Sequence, residues 1–300
     1  MDDNREIFTI TQDLQNGFRS HDHLCQLANK LQYTTSSKIT IDLTGVNFIA
    51  SNLFSVLGCI LYEYARREAG KDAIMLSGVN SRISDVMQKN GFCQHLGLKR
   101  KKDVHNTIIP YMIFPVNKID EYERYLTINL FTRKDLPSMS QAVTDAIRDS
   151  LLELFKNVSD HTTSEHVFTC GQYFPKSYML YFTLVDIGET ISYNVNRYHG
   201  NQHLPLPSNP LKWALEMGNS TIFSNQPRGI GFTLIRDFVS LNNGDFYVLS
   251  DSTTYEFHRG QERYKQLSAP FPGTIVTIGF NLHDNSTYHL ESDIHDTIQF

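Results

Sequence analysis

Four short runs in the second half of the chain hold residue types that can do chemistry together. Glu153-Leu154-Phe155-Lys156-Asn157 is followed by His161, so Glu153, Asn157 and His161 recur at every fourth position. On a helix that spacing puts a carboxylate, a carboxamide and an imidazole on one face. Asp186-Ile187-Gly188 closes an apolar run and, taken alone, reads as a turn, because Asp and Gly are turn formers. Arg228-Gly229-Ile230-Gly231-Phe232 stands before a helical pattern. Glycines there free backbone N–H groups at a helix N-terminus, where the dipole favours phosphate oxygens. Gly273-Thr274 opens the last strand-like stretch. Each run is common by itself; order and context give the set its weight.

Composition bounds what such a site can serve. Three hundred residues suggest about two domains. Hydrophobic residues at 40% and charged residues at 20% exclude a wholly disordered or collagen-like chain. Lys+Arg of 27 against Asp+Glu of 32 leaves a net charge of −5, so no nucleic-acid partner is expected. The one dense basic run, Lys99-Arg100-Lys101-Lys102, reads as a solvated linker. No apolar run reaches the roughly 18 residues that span a bilayer, so no membrane partner is expected. Met1-Asp2-Asp3-Asn4-Arg5-Glu6 lacks the apolar core of a signal peptide. Cys25, Cys59, Cys93 and Cys170 form no C-x-x-C pair. The expectation is a cytoplasmic protein with reduced thiols.

The elements that must position the runs follow from periodicity. Ile39, Ile41 and Leu43 alternate as a half-buried strand. A helix is expected from about Ser51 to Arg67, stopped by Gly70, then a strand at Ala73–Leu76 and a helix at Ser81–Asn90 ending at Gly91. Alternation of this kind argues for a small α/β unit. The stretch from about Leu98 to Lys118, with Pro110 and Pro115, is the boundary candidate. Beyond it, Ser138 and Gln141 predict a helix start, and Met139, Val143, Ile147, Leu151, Leu154 and Val158 predict its apolar stripe. Strands are expected at Val167–Tyr173 and Met179–Val185. From Ser192 to Pro227 the chain is rich in Asn, Pro and Gly, with a helical turn or two around Trp213, and reads as a lid. A helix at Phe232–Leu241 and strands at Phe246–Ser250 and Thr274–Phe280 follow. The tail after Leu282 shows little periodicity, and no internal repeat is found.

The four runs in this order resemble the Bergerat-fold ATPase domain of the GHKL superfamily. The closer likeness within it is to anti-sigma-factor serine kinases and related ATP-binding regulators. The resemblance covers about Ser138 to Phe280. It implies ATP and Mg²⁺ as ligands, with Glu153 as the base that polarises a water or hydroxyl and Asn157 as the metal's protein oxygen ligand. It further implies Asp186 as acceptor for the adenine amine, with Gly188 letting backbone approach the ring. Arg228, Gly229, Ile230, Gly231 and Phe232 would hold the phosphates, and Thr274 would hydrogen-bond the base region. Two positions depart from the family pattern. Thr190 stands where a second Gly of Asp-x-Gly-x-Gly is usual, and Phe232 where Leu is common. Lys156, about 100° round the helix from Asn157, is expected in solvent.

The N-terminal part, through Ile39-Thr40-Ile41-Asp42-Leu43, Phe48-Ile49-Ala50-Ser51-Asn52-Leu53 and Gly91-Phe92, resembles the STAS fold as far as about Gly97. In the antagonist branch of that family a loop Asp-Ser-Ser-Gly carries a phosphorylated serine. Here the corresponding loop is Ala50-Ser51-Asn52-Leu53, with Asn52 at the acceptor position and Ser51 beside it as a helix N-cap candidate.

Together these readings predict an α+β or α/β two-domain chain. A STAS-like α/β domain would occupy 1–110. Residues 111–137 would form a linker and the start of the ATPase domain. A Bergerat-type α/β sandwich, a mixed sheet covered by helices on one face, would occupy 138–300. The expected activity is an ATP·Mg-dependent regulator that hydrolyses ATP or transfers its γ-phosphate to a protein serine or threonine. Its nucleotide state would be relayed through the lid to the STAS-like part or to a protein partner. The alternative is a catalytically silent, nucleotide-gated protein-interaction adaptor. GHKL domains often dimerise, which leaves a homodimer open.

Overall fold

Alternation builds the first layer of the computed structural model, which describes residues 5–68, 73–221 and 231–290. Strands β1 (Glu6–Thr9), β2 (Ile39–Asp42) and β3 (Ile74–Ser77) pair in parallel in the order β1-β2-β3, with Phe8, Ile41 and Leu76 in one row. Parallel neighbours need long crossovers, and helices α1 (Phe18–Tyr33) and α2 (Phe54–Arg67) supply them. Helix α3 (Ser81–Asn90) follows. Asn80 caps it by accepting from Ile83 N–H at 2.9 Å, and Gly91 ends it at a φ of 90°, a left-handed conformation that favours glycine.

The second half contributes strand β4 (Ile108–Pro115), helix α4 (Ile119–Leu126), strand β5 (Ser138–Met139), helix α5 (Gln141–His161) and strands β6 (His166–Phe174) and β7 (Met179–Ile187). Helices α6 (Ile191–Asn201), α7 (Pro210–Leu215) and α8 (Gly231–Leu241) come next, then strands β8 (Asp245–His258), β9 (Gln261–Asn281) and β10 (Thr287–Tyr288). The sheet β4-β6-β7-β9-β8 is antiparallel at every pairing. The period of two sorts its side chains: Leu180, Phe182 and Leu184 of β7, with Val276, Ile278 and Phe280 of β9, pack under α4, α5 and α8. Val185 and Ile275, one residue out of step, join the core made by α1 and α2.

The chain is thus a mixed α/β protein in which α1 and α2 lie between two sheets and share one continuous core with both. Gly58 of α2 marks how close the approach is, since a Cβ there would come within 2.8 Å of Tyr111 Cζ on β4.

Several expectations need correcting. The larger sheet is antiparallel rather than mixed, and its second face is covered by α1 and α2 instead of being left without helices. The boundary candidate carries β4, which pairs with β6; Tyr111 and Phe114 are buried, so the prolines there sit at a sheet edge and not in a linker. Helix α5 starts from Ser140, whose Oγ accepts from Val143 N–H at 3.2 Å, while Ser138 pairs with Thr287. Residues 51–53 form a 3₁₀ turn before α2, and the polar insertion after Ser192 contains an ordered helix, α6. Strands β8 and β9 also run on past the sheet as a hairpin. Its register shifts around Asp251, and His258 near the tip returns to within 2.6 Å of Asp245 at the root.

Candidate functional site

A pocket opens where α5, the larger sheet and the α6–α7 segment meet, enclosing about 120 Å³. From α5 it receives Glu153 and Asn157, together with the neighbouring Leu154 and Val158. Leu154 and Val158 are each 4% exposed. Burying two aliphatic side chains contributes about 3–6 kcal/mol, and it fixes the rotation that turns the polar pair into the pocket. Lys156 is exposed, as its angular position predicts.

Asp186 occupies the base of the pocket. It continues the Leu180–Phe182–Leu184 alternation of β7 and so faces α5, paired across the sheet with Thr274. Its carboxyl is buried, and Oδ2 has no hydrogen-bond partner among the described residues. Removal from water pushes its pKa up to about 8, a rise that bonds from the Thr274 backbone and the Thr162 side chain only partly oppose. A buried carboxyl oxygen without a donor is costly, and it marks a place for a ligand N–H.

Ser250 ties this strand end to the segment that roofs the pocket. Its hydroxyl accepts from Ile191 N–H at 2.9 Å, donates to Gly273 C=O at 2.8 Å and lies 3.1 Å from Thr274 Oγ1. Thr190, the departure from the expected glycine, caps α6: its Oγ1 accepts from Tyr193 N–H at 3.1 Å. A glycine would leave that donor unsatisfied by a side chain.

The sequence runs are brought together unequally. Glu153, Asn157, Asp186, Phe232 and Thr274 all border the pocket. Gly231 opens α8 against Glu153, and a Cβ there would come within 2.8 Å of Glu153 Oε2. Gly188 does not border the pocket. Its N–H donates to Pro272 C=O at 2.9 Å, and a Cβ would press on Thr162 at 2.9 Å, so the protein itself demands the glycine. Arg228, Gly229 and Ile230 lie outside the described residues. His161 ends α5.

Sequence reasoning missed Thr162, Asn194 and Trp213 as pocket residues and Ser250 as the tie beneath them. A single tryptophan inside a polar insertion was the one available signal. Among the described residues no group of three His, Cys, Asp or Glu side chains gathers to hold a metal. A cation at Asn157 would therefore take most of its oxygen ligands from a bound phosphate and water.

The Ser51–Asn52 loop faces the opposite side of the sheet. Ser51 is fully buried: its N–H donates to Gln172 Oε1 at 2.6 Å, and its hydroxyl accepts from Asn90 Nδ2 at 3.2 Å. It caps no helix through its side chain. Asn52 Nδ2 donates to Asn16 Oδ1 at 2.7 Å and to Thr183 Oγ1 at 2.9 Å, so the loop is docked on β7.

Compared with known proteins, the chain matches no family model and no curated relative.

Proposed function

We propose that the pocket binds ATP with Mg²⁺, and that the chain is a nucleotide-dependent regulator built from a STAS-like N-terminal unit and a Bergerat-type GHKL layer. The observation that carries this reading is Asp186. Its Oδ2, unpartnered among the described residues, lies at the base of a pocket lined by apolar and polar side chains and fits the exocyclic amine of adenine, where guanine carries a carbonyl. The arrangement around it supports the same reading. Glu153 and Asn157 border the pocket one helical turn apart, and α8 begins at Gly231 beside them.

The residues divide the work by position. Asp186 and Thr274 hold the base end. Asn157 offers an uncharged oxygen toward a cation that neutralises the phosphates. Glu153 is the carboxylate placed to polarise a water or a protein hydroxyl toward the γ-phosphate. The amide groups at the start of α8 present the positive end of a helix dipole to phosphate oxygens.

Titration calorimetry with ATP and GTP tests the binding step, with selective ATP binding expected and its loss in Asp186→Ala. Phosphate release and transfer of labelled phosphate to protein, compared between the parent and Glu153→Ala, test the chemistry. Absence of ATP binding to the folded chain overturns the proposal, and undiminished turnover in Glu153→Ala removes its catalytic half.

A further inference from the structure

The strongest unspent feature of the pocket is the side chain of Trp213. Helix α7 is anchored by Leu211 and Leu215, which are 0% and 3% exposed, whereas Trp213 between them is only half-buried. Its indole is propped from α6. The ring of His199 meets it edge-on at 5.0 Å and 80°, and Tyr198 lies tilted at 5.8 Å. His199 is in turn held by a 2.7 Å bond between Nδ1 and Pro205 C=O, so the prop is fixed in orientation. Trp213 lines the same pocket as Asp186.

Three chemical demands therefore meet in one place. The sheet contributes aliphatic surface from Leu184 and Val276, the roof contributes an aromatic ring, and Asp186 Oδ2 asks for an N–H donor. An aliphatic ligand leaves the carboxyl oxygen unsatisfied. A flat, neutral heteroaromatic ring bearing an amine satisfies all three.

We infer that Trp213 is the aromatic wall that stacks the base, and that it sets a preference for an aminopurine over an aminopyrimidine. The inference rests on the nucleotide reading above and deepens it. Asp186 distinguishes bases by their amine, which adenine and cytosine share; Trp213 distinguishes them by ring area. It also makes the α6–α7 segment a reader of the base and not only a cover.

The chain holds one tryptophan, so its emission reports this residue alone. Adenosine, which lacks phosphates, is expected to change that emission saturably at the affinity found by calorimetry. Trp213→Ala is expected to weaken adenosine binding roughly ten- to a hundredfold and to narrow the adenosine-to-cytidine affinity ratio. Trp213→Phe is expected to retain most of both. A merely structural role would weaken both nucleosides alike and leave the ratio unchanged, which overturns the inference. ATP binding with silent emission and native affinity in Trp213→Ala overturns it too, while leaving the nucleotide reading intact. No nucleotide binding at all removes both. Should Trp213→Ala not fold, the emission titration and Trp213→Phe still decide.

Discussion

Gly231 and Glu153 sit against each other: a Cβ on Gly231 would lie 2.8 Å from Glu153 Oε2 and 3.4 Å from the carbonyl of Ser150. The first residue of α8 thus fixes where the α5 carboxylate can be. Gly231→Ala separates the two roles of this contact. At the first position of a helix alanine has no advantage over glycine, so the melting temperature should change little. The displaced carboxylate should lower nucleotide turnover about ten- to a hundredfold, read by phosphate release beside a thermal melt. Full turnover in this variant would show that Glu153 needs no such placement.

Asp186 links ligand choice to acid–base behaviour of the fold. Its folded pKa is raised from 3.8 to about 8 by burial, so the folded chain keeps a proton that the unfolded chain releases. The associated stabilisation is complete below pH 3.8, declines as pH rises from 3.8 to about 8, and is gone above that. Asp186→Asn has no such slope. Its melting temperature relative to the parent should therefore climb between about pH 5 and about pH 8. A constant difference across that range would mean that the carboxyl is ionised throughout.

Thr190 offers a measurable cap. Thr190→Ala should cost about 1 kcal/mol, equivalent to a fall of about 2–4 °C in melting temperature for a chain of this size. Thr190→Ser should restore most of it. Equal stability of all three would mean that the 3.1 Å bond to Tyr193 N–H contributes nothing to α6.

Gly58 tests the packing of α2 on β4. Gly58→Ala drives a methyl group into the Tyr111 ring and should destabilise the chain by about 1–3 kcal/mol, seen as a lower denaturant midpoint. Trimming Tyr111 to Leu in the same chain should recover part of the loss, because the two sites share one contact. Additive losses would place α2 away from β4.

Local rules were enough to read much of this protein from its residues. The four-residue spacing of Glu153 and Asn157 put both on one helical face, and the alternation before Asp186 and after Thr274 put those two on one sheet face. These relations are short in range and set by the periods of helix and strand. What periodicity could not supply was everything that depends on residues distant in sequence. Gly188 stands outside the pocket lining, where Thr162 leaves no room for a Cβ. Thr190, the departure from the expected glycine, is a helix cap. Ser51, an N-cap candidate by its position, caps no helix and is buried, bonded to Gln172 and Asn90. Trp213 belonged to a stretch read as a lid, and only the folding of α6 and α7 over the sheet brought it to Asp186. Which groups are buried, and which are left without partners, is decided when separate elements pack, because desolvation belongs to the assembled fold and to no single segment of it.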